Sequence, residues 1–280
     1  MHAVNTPVSA PSIAPFDPGR IRSFVANRID VESVASIGST NHALLQRPIG
    51  LVPLQARLLV AREQTAGRGR RGRVWSSSID ASLTFSVALE RLVGPDQAAP
   101  AGLPIAVGVS LARGLKQWVD DIALKWPNDL QRSQRKCAGI LIETRRQAPI
   151  ERIVIGIGLN LLAPPELAGS IAQPVAGLFD DRIMPPREQL AGVLALAVVD
   201  GWSAFAHDGL ASFRDDWAAR DALAGREVRV TEGSALLLEG VAEGIDAAGA
   251  LQVRTAAGVR GVTVGDVSVR VAGRTGAGSC

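Results

Sequence analysis

The feature that most restricts the fold is an arginine-glycine stretch that follows directly on a buried strand. Residues 67–73 read GRGRRGR, so four arginines and three glycines share one short segment, and Trp75 closes it. Residues 58–64 (LLVAREQ) predict a strand that enters the interior, and residues 82–90 (SLTFSVALE) predict the next strand. The stretch is therefore expected to connect two strands inside one folded domain.

The stretch was compared with the sequence patterns of known nucleotide-binding and RNA-binding loops. Its glycines satisfy the G-x-G-x-x-G pattern of dinucleotide-binding loops, which must lead into a helix. Residues 73–80 (RVWSSSID) do not predict a helix, and the arginines between the glycines would crowd a pyrophosphate. The P-loop pattern G-x-x-x-x-G-K-[ST] does not occur. An RNA-binding segment is an alternative, although such segments usually repeat and interleave aromatic residues, and a merely solvated charged loop is another.

A loop that closes over an anionic ligand explains both residue types. Ordering about nine residues costs on the order of 10 kcal/mol, since each backbone residue costs about 1–2 kcal/mol and glycine more. Charge-assisted hydrogen bonds return about 1.5–3 kcal/mol each. The arginines can therefore offset the cost only when an anion is bound. We predict that residues 65–76, the arginine-glycine loop, are mobile when empty and ordered over a phosphate-bearing ligand.

The order of predicted elements indicates an α+β fold, because strands and helices mix without strict βαβ alternation. We expect a main domain over residues 17–224, built on a mixed sheet with helices mainly on one face. Helices are predicted at 17–28, 39–46, 103–119, 186–207 and 209–223. Strands are predicted at 31–37, 58–64, 82–90, 122–126, 136–145 and 152–161.

The ends of the chain differ in character from this main domain. Short strands with glycine-bearing turns predict a small β-barrel at 225–272. Residues 1–16 are rich in Pro, Ser and Ala and are predicted to be disordered, and residues 273–280 are predicted to form a flexible tail. The apolar segment 190–199 is too short for a membrane span and predicts a buried helix.

Composition narrows the function classes. A hydrophobic content of 47% and a charged content of 20% are typical of a soluble globular protein. A net charge of +3 does not by itself imply nucleic acid or membrane binding. The two cysteines, Cys137 and Cys280, favour a reducing cytoplasm. With three histidines and distant cysteines, no zinc site can be argued.

Lysine is scarce in this chain. Among 30 Lys and Arg residues only three are lysines, namely Lys116, Lys125 and Lys136. Arginine has replaced lysine nearly everywhere, so each remaining lysine is a candidate for a task that arginine cannot perform. Lys116 lies on a predicted helix face, where an ordinary surface charge is a sufficient explanation.

Five motifs along the chain resemble those of biotin protein ligases. They are STN at 39–41, GRGRRGRVW at 67–75, KWPND at 125–129, KCAGIL at 136–141 and GIGLN at 156–160. The resemblance covers residues 30–272 and implies a class II synthetase-like catalytic domain followed by an SH3-like barrel. Cys137 stands where the family usually has an aliphatic residue, and as a small hydrophobe it should cost no function.

The resemblance also implies a reaction. Family members join biotin to ATP in the presence of Mg²⁺, which yields biotinyl-5′-AMP and pyrophosphate. They then transfer biotin to a specific lysine of a biotin carboxyl carrier protein domain of a carboxylase. This chemistry accounts for the cations, because a carboxylate must attack an α-phosphate and two anions must meet. A closing lid would protect the mixed anhydride from water.

The family motifs place the implied site residues on this sequence. Lys136, Lys125 and Arg70 are implied as catalytic; Lys136 would hold the biotin carboxyl group and Lys125 would meet the ATP phosphates. Asp129 would help to deprotonate the incoming lysine or hold magnesium, and Trp75 would lie against the adenine. The implied biotin-binding residues are Ser39, Thr40, Asn41, Gln64, Arg68, Gly69, Arg70 and Lys136. The implied ATP- or adenylate-binding residues are Gly67, Arg73, Trp75, Lys125, Asn128, Asp129 and Asn160.

The expected partners follow from the same resemblance. Only 38 residues precede Ser39, which is short for the winged helix-turn-helix of bifunctional members. We therefore expect a monofunctional ligase with no specific DNA partner and no membrane partner, as a monomer or weak homodimer. Two alternatives stay open, a nucleic-acid-binding module that uses the arginines and a lipoate ligase. Salt-dependent retention on DNA or RNA that ignores biotin would favour the first.

Overall fold

The computed structural model describes residues 13–50, 55–94, 100–163, 175–263, 265 and 267–271. The helices are α1 Pro18–Arg22, α2 Thr40–Gln46, α3 Leu103–Leu115, α4 Arg187–Asp208 and α5 Arg214–Ala218. The strands of the first sheet are β1 Ile29–Ile37, β2 Ala56–Gln64, β3 Ser82–Leu92, β4 Ala123–Lys125, β5 Asp129–Arg132, β6 Arg135–Gln147 and β7 Ile150–Asn160. The strands of the second are β8 Glu227–Glu232, β9 Ala235–Ile245, β10 Leu251–Thr255, β11 Gly258–Val262 and β12 Val267–Val271.

The first sheet has seven strands in the order β1-β2-β3-β7-β6-β5-β4. β1 and β2 run parallel, and the remaining neighbours are antiparallel. This confirms the predicted α+β class with a mixed sheet. The short strand β5 was not predicted, because residues 129–132 are too few to show a period of their own.

Helices cover both faces of this sheet, unequally. Leu58 and Val60 of β2 point into the main core, where α3 and α4 pack against the sheet. Leu59, between them, points to the opposite face and packs with Leu44 and Leu45 of α2. Successive side chains of a strand alternate between faces, so one strand can support both layers. The prediction of helices mainly on one face is therefore correct except for α2, which bears part of the functional site.

The long apolar helix α4 belongs to the core. By length and composition alone it could cross a membrane. It packs instead against α1, α3 and β3, and Leu190, Leu194 and Val198 have no exposed surface. This is the buried helix that the segment 190–199 predicted.

Three helices are shorter than predicted. The first ends at Arg22 rather than residue 28, because the chain turns through Ala26 and Asn27 with positive φ. The helix from residue 103 ends at Leu115. The segment 209–223 contains only a 3₁₀ turn at 211–213 and α5, because the backbone at 220–222 hydrogen-bonds to Leu124 of β4 instead.

The C-terminal strands form a five-stranded antiparallel sheet in the order β11-β10-β9-β8-β12. Val228, Val230 and Leu251 are buried in continuity with the main core. Short β-strands were predicted here, and their closure into an SH3-like barrel stays a prediction.

The predicted disordered N-terminal segment is too long by at least one residue. Phe16 is buried in the main core, and the guanidinium of Arg62 lies 5.0 Å from its ring. The remainder of that prediction over residues 1–12, and the predicted tail at 273–280, lie outside the described residues.

Candidate active site

A cavity of about 820 Å³ lies between β6, β7, the arginine-glycine loop and β12. The predicted site residues come from distant parts of the sequence, and all of them except Gly67 line this cavity. Those that do are Ser39, Thr40, Asn41, Gln64, Arg68, Gly69, Arg70, Arg73, Trp75, Lys125, Asn128, Asp129, Lys136 and Asn160. The fold thus brings the five motifs to one place, and the role of each residue stays a prediction.

The start of α2 forms one end of the cavity. Ser39 is the N-cap, and its hydroxyl accepts from the His42 amide at 3.4 Å, as serine does at helix starts. Thr40 is buried, and its amide donates to Gln64 Oε1 at 2.8 Å, so α2 is joined to the end of β2. The cap and this bond hold residues 39–41 against the sheet.

Asn41 lies flat on β7, in a place that only glycine leaves open. Its Nδ2 donates to the Leu141 carbonyl at 3.2 Å and to Glu143 Oε2 at 2.9 Å. A Cβ on Gly156 would lie 2.3 Å from Asn41 Oδ1, far inside van der Waals contact. The glycine at 156 is therefore required for the buried position of Asn41.

The arginine-glycine loop folds as a small hairpin. Arg68 and Val74 form an antiparallel bridge, and the Gly69 amide donates to the Arg73 carbonyl at 2.7 Å. At its tip, Arg71 and Gly72 have φ of 60° and 69°, a left-handed conformation that glycine adopts at little cost.

Gly67 closes the base of this hairpin instead of touching the cavity. Its carbonyl accepts from the Trp75 amide at 3.0 Å, and a Cβ on Gly67 would lie 2.3 Å from the Trp75 carbonyl oxygen. Gly67 is thus not among the described lining residues, and its role in binding ATP stays a prediction.

The tip of the loop also joins the two sheets. Arg70 donates to Asn128 Oδ1 at 3.1 Å and to the Gly265 carbonyl at 2.7 Å, and Arg71 donates to Ser268 Oγ at 2.5 Å. Asn128 is itself held to β6, because its Nδ2 donates to the Ile140 carbonyl at 2.8 Å. The C-terminal sheet is thus part of the wall of the cavity.

Trp75 rests on two glycines of neighbouring strands. Gly139 of β6 and Gly158 of β7 are register partners, and a Cβ on Gly158 would lie 2.3 Å from the indole Cε2. The indole Nε1 is buried and finds no hydrogen-bond partner in the part of the chain that the structure describes. Lys136 Nζ lies 5.7 Å from the ring centroid. Because Gly139 and Gly158 have no side chains, the Trp75 ring can lie against the sheet beside the Lys136 ammonium.

Two lysines and one carboxylate form the charged centre of the cavity. Lys136 Nζ lies 2.7 Å from Asp129 Oδ1, and both side chains are largely buried. Lys125 is the cross-strand partner of Asp129. Burial lowers the pKa of the Lys125 ammonium, Asp129 opposes that shift, and Lys136 adds to it. The Asp129 carboxylate therefore interacts with both ammonium groups, those of Lys136 and Lys125.

Asn160 braces the backbone of Lys136. It is buried at the end of β7, and its Nδ2 lies 3.5 Å from the Lys136 carbonyl. The same carbonyl accepts from the Ala176 amide at 2.9 Å. The main chain of Lys136 is thus fixed while its ammonium faces the cavity.

The charges of the lining favour an anionic ligand. Among the residues that the structure describes, eight cationic side chains and one carboxylate, that of Asp129, line the cavity. A concave site with such an excess concentrates anions. The cations are Arg68, Arg70, Arg71, Arg73, Lys125, Lys136, Arg226 and Arg270.

Side chains that commonly ligate metals are few in the described lining of the cavity. Within the described ranges, no group of three or more His, Cys, Asp or Glu side chains could hold a metal ion. Asp129 is already paired with Lys136. Magnesium usually takes one or two carboxylates together with substrate phosphates. A magnesium ion that enters with a phosphate substrate would have the Asp129 carboxylate in the described lining available to it.

Sequence reasoning missed several residues of the site. The three glycines that admit Asn41 and Trp75 could have been noticed, because glycine inside a strand often marks close approach of another group. Ser86 and Glu143 gave no such signal, since their contacts depend on strand register. Ser268 and Arg270 were overlooked because they lie in the other sheet. The strand glycines are Gly139, Gly156 and Gly158.

Comparison with known proteins gives a consistent result. Residues 34–160 match the Biotin/lipoate A/B protein ligase family, and residues 224–270 match the Biotin protein ligase C terminal domain. The chain is 34% identical to the Bifunctional ligase/repressor BirA of Escherichia coli, over 89% of this chain and 77% of BirA. It is 31% identical to the Biotin--[acetyl-CoA-carboxylase] ligase of Paracoccus denitrificans, over 84% of this chain and 98% of that protein.

A solved structure shows the same fold. The chain superposes on the biotin protein ligase from Aquifex aeolicus in complex with biotin and ATP with a TM-score of 0.71. The match has 23% sequence identity and covers 88% of this chain and 100% of that one.

Proposed function

The chain belongs to the biotin protein ligase family, and we propose that its cavity carries out both half-reactions of that family. It forms biotinyl-5′-AMP and pyrophosphate from biotin and ATP, and it transfers biotin to a lysine of a biotin carboxyl carrier protein domain. The observation that carries this is the convergence of all five motifs on one cation-rich cavity. The resemblance that the motifs indicate is confirmed by relatives matched over most of both chains.

In the first half-reaction a biotin carboxylate oxygen attacks the α-phosphorus of ATP, and the bond to the β-phosphate oxygen breaks. Negative charge concentrates where the two anions meet, so preorganised cations lower the barrier. Lys136 and Lys125 are positioned for this by strand register, on either side of Asp129. Magnesium, entering with ATP, would neutralise the phosphates, and Asp129 is the carboxylate available to it.

In the second half-reaction the amine of the carrier lysine attacks the acyl carbon, AMP leaves, and the amine loses one proton. Asp129 supports this step as the one carboxylate that the described residues contribute to the cavity lining. In the structure one oxygen of Asp129 is occupied by Lys136 Nζ at 2.7 Å. We propose that contact of Lys136 with the adenylate phosphate frees Asp129 for the incoming amine.

The C-terminal sheet contributes to the adenylate end of the site. Its strand β12 lines the cavity, and Arg70 and Arg71 reach it from the loop. We propose that this sheet closes as an SH3-like barrel and that the main domain is class II synthetase-like. The likeness in fold to the Aquifex aeolicus enzyme supports both.

The direct test is incubation with biotin, Mg·ATP and a biotin carrier domain, followed by mass measurement of the carrier. A mass increase of one biotin, absent without ATP, supports the proposal. Lipoate in place of biotin tests the lipoate alternative, which the biotin-specific C-terminal match disfavours. Modification by lipoate alone, or no modification at all, would contradict the proposed function.

The arginine-glycine loop is expected to be cleaved quickly by trypsin when empty and to be protected by biotinyl-AMP. At its base the Thr65 and Ala66 amides donate to the Ile37 and Gly38 carbonyls, and its other described backbone bonds lie within its own hairpin. Arg70 and Arg71 fasten its tip to the second sheet. An anionic ligand would add charge-assisted bonds to the other arginines. Cleavage between Arg68 and Arg73 is followed by mass, with cleavage elsewhere as the internal control. Equal rates with and without ligand would refute the lid.

Arg70→Gly is expected to form the adenylate but to release it. The substitution removes the bonds to Asn128 and to the Gly265 carbonyl, which fasten the loop across the cavity. Free biotinyl-AMP would then acylate lysines of unrelated proteins. The measurement is biotin incorporation into a bystander protein mixed with the enzyme. The exposed Arg229 of β8 provides the control, and Arg229→Gly should leave carrier selectivity intact. Unchanged carrier selectivity in Arg70→Gly would contradict the proposal that Arg70 holds the loop closed over the adenylate.

A further inference from the structure

Glu143 of β6 contacts both the start of α2 and the arginine-glycine loop. Its Oε2 accepts from Asn41 Nδ2 at 2.9 Å, and its Oε1 lies 3.5 Å from Arg68 Nη1. It was not among the predicted site residues, and it does not itself line the cavity. About a quarter of its side chain is exposed. Its contacts therefore give it a connecting position between two parts of the site.

The carboxylate settles which way the Asn41 amide points. An ionised carboxylate and a backbone carbonyl can only accept hydrogen bonds. Both lie next to the same end of the Asn41 side chain, so that end must be the Nδ2 donor. Asn41 Oδ1 then faces Ser86 Oγ at 2.6 Å. Turning the amide over would bring its oxygen against two acceptors.

The orientation of Asn41 sets the direction of the next bonds. Since Oδ1 can only accept, Ser86 Oγ must donate to it. Ser86 Oγ also lies 2.7 Å from Thr40 Oγ1, and with its own proton committed it must accept there. The Thr40 hydroxyl has one proton and two acceptors in reach, Ser86 Oγ at 2.7 Å and Gln64 Oε1 at 3.1 Å. The shorter contact takes the proton because Ser86 has none left to donate, and the Thr40 lone pairs remain to accept from a ligand in the cavity. Gln64 Oε1 keeps the Thr40 amide as its donor.

We infer that Glu143 is a positioning residue, which orients the Asn41–Ser86–Thr40 chain to receive N–H donors of the ligand and ties that chain to Arg68 in the lid. The inference rests on the proposed function, since the ureido group of biotin carries two N–H donors. In the reversed chain Thr40 Oγ1 would accept from Ser86 and donate to Gln64 Oε1, which leaves it less able to accept from those N–H groups. Glu143 thereby acts through Asn41 and Arg68 without touching the substrate.

Two substitutions separate the two contacts. Glu143→Met keeps the length of the side chain but accepts nothing, so the Asn41 amide loses its shorter, charged acceptor and keeps only the 3.2 Å bond to the Leu141 carbonyl. Glu143→Gln can still accept from Asn41, and it gives up the charge that faces Arg68. We expect Glu143→Met to raise the KM for biotin by about tenfold or more, as loss of a hydrogen bond to a charged group predicts, and to leave the KM for ATP within about twofold. Glu143→Gln should restore the biotin KM and leave the loop less protected from trypsin.

A matched control is available in the other sheet. Glu243 of β9 pairs with Arg254, and its side chain is 27% exposed, compared with 25% for Glu143. Glu243→Met should change neither KM, and thermal melts would show that each variant is folded. Pyrophosphate release with varied biotin and varied ATP provides all the constants.

The outcomes are distinguishable. A wild-type protein that releases no pyrophosphate with biotin and ATP would refute the proposed function. An active wild type with an unchanged biotin KM in folded Glu143→Met would overturn the positioning role, and so would an equal rise of both KM values. If Glu143→Met does not fold, Glu143→Gln decides: a tenfold loss of biotin affinity in it would overturn the inference. Unaltered trypsin protection in Glu143→Gln would remove the link to Arg68.

Discussion

Lys136→Arg is expected to lose adenylate formation by about 10²–10³-fold although the charge is kept, as when one preorganised electrostatic group is removed. Lys136 Nζ lies 2.7 Å from Asp129 and would be 3.2 Å from a Cβ on Gly139, so the ammonium fits a narrow space. A planar guanidinium is larger and would bind Asp129 in a bidentate manner. It would then block the carboxylate and miss the point where the two substrate anions meet.

The measurement is pyrophosphate release with biotin and ATP, with folding checked by thermal melt. Lys116→Arg is the matched control, because Lys116 is exposed at the C-terminal end of α3, away from the cavity. It should change the rate and the melting temperature very little. If Lys136→Arg turns over within about threefold of wild type, well under 1 kcal/mol, the site needs only a positive charge. The scarcity of lysine would then carry no functional meaning.

Gly156→Ala and Gly158→Ala are each expected to reduce kcat/KM by about 10²-fold, the size of loss that a misplacement of about 1 Å in an active site causes. The added methyl group meets a different side chain in each case. At 156 it would lie 2.3 Å from Asn41 Oδ1, and at 158 it would lie 2.3 Å from Trp75 Cε2. Gly156→Ala should therefore weaken biotin, whereas Gly158→Ala should displace the indole and weaken ATP.

Separate titrations of biotin and of ATP distinguish the two effects. Gly261 of β11 is a suitable control, because a Cβ there meets its nearest neighbour at 3.4 Å, which is ordinary contact. Gly261→Ala should leave both affinities unchanged. If both glycine variants lost affinity for biotin and for ATP equally, the substitutions would have disturbed strand β7 as a whole. That result would contradict the expectation that Asn41 acts on biotin and Trp75 on ATP.

Local sequence was sufficient for the parts of the site that depend on nearby residues. Ser39 caps α2, the helix predicted at 39–46, because a serine side chain reaches the amide three residues ahead. The arginine-glycine loop connects two strands as predicted. The strands at 152–161 and 82–90 were found because long apolar runs show in any window, although each is one or two residues different at its ends. The predicted site residues also include fourteen that line the cavity.

Only the tertiary structure decided which of these groups meet. The pair Lys136–Asp129 depends on the bulged register of β5 against β6, which no local pattern encodes. The place of β12 in the cavity wall depends on the packing of one sheet on another. The helix predicted at 209–223 is interrupted because its backbone finds partners on β4. Long-range contacts replaced a local preference there, since a weak propensity yields to tertiary hydrogen bonds.

The strand glycines and Glu143 show most clearly the difference between what local sequence predicts and what the tertiary structure decides. In the sequence, Gly156 and Gly158 are two small residues of an apolar strand, and Glu143 is one charge near the end of another. Their roles in the site depend on the side chains that contact them, which are Asn41, Trp75 and Arg68 from distant parts of the sequence. The sequence by itself determined the chemistry that the cavity contains. The three-dimensional register determined which donor faces which acceptor, because hydrogen bonds and close contacts depend on distances that sequence separation does not set.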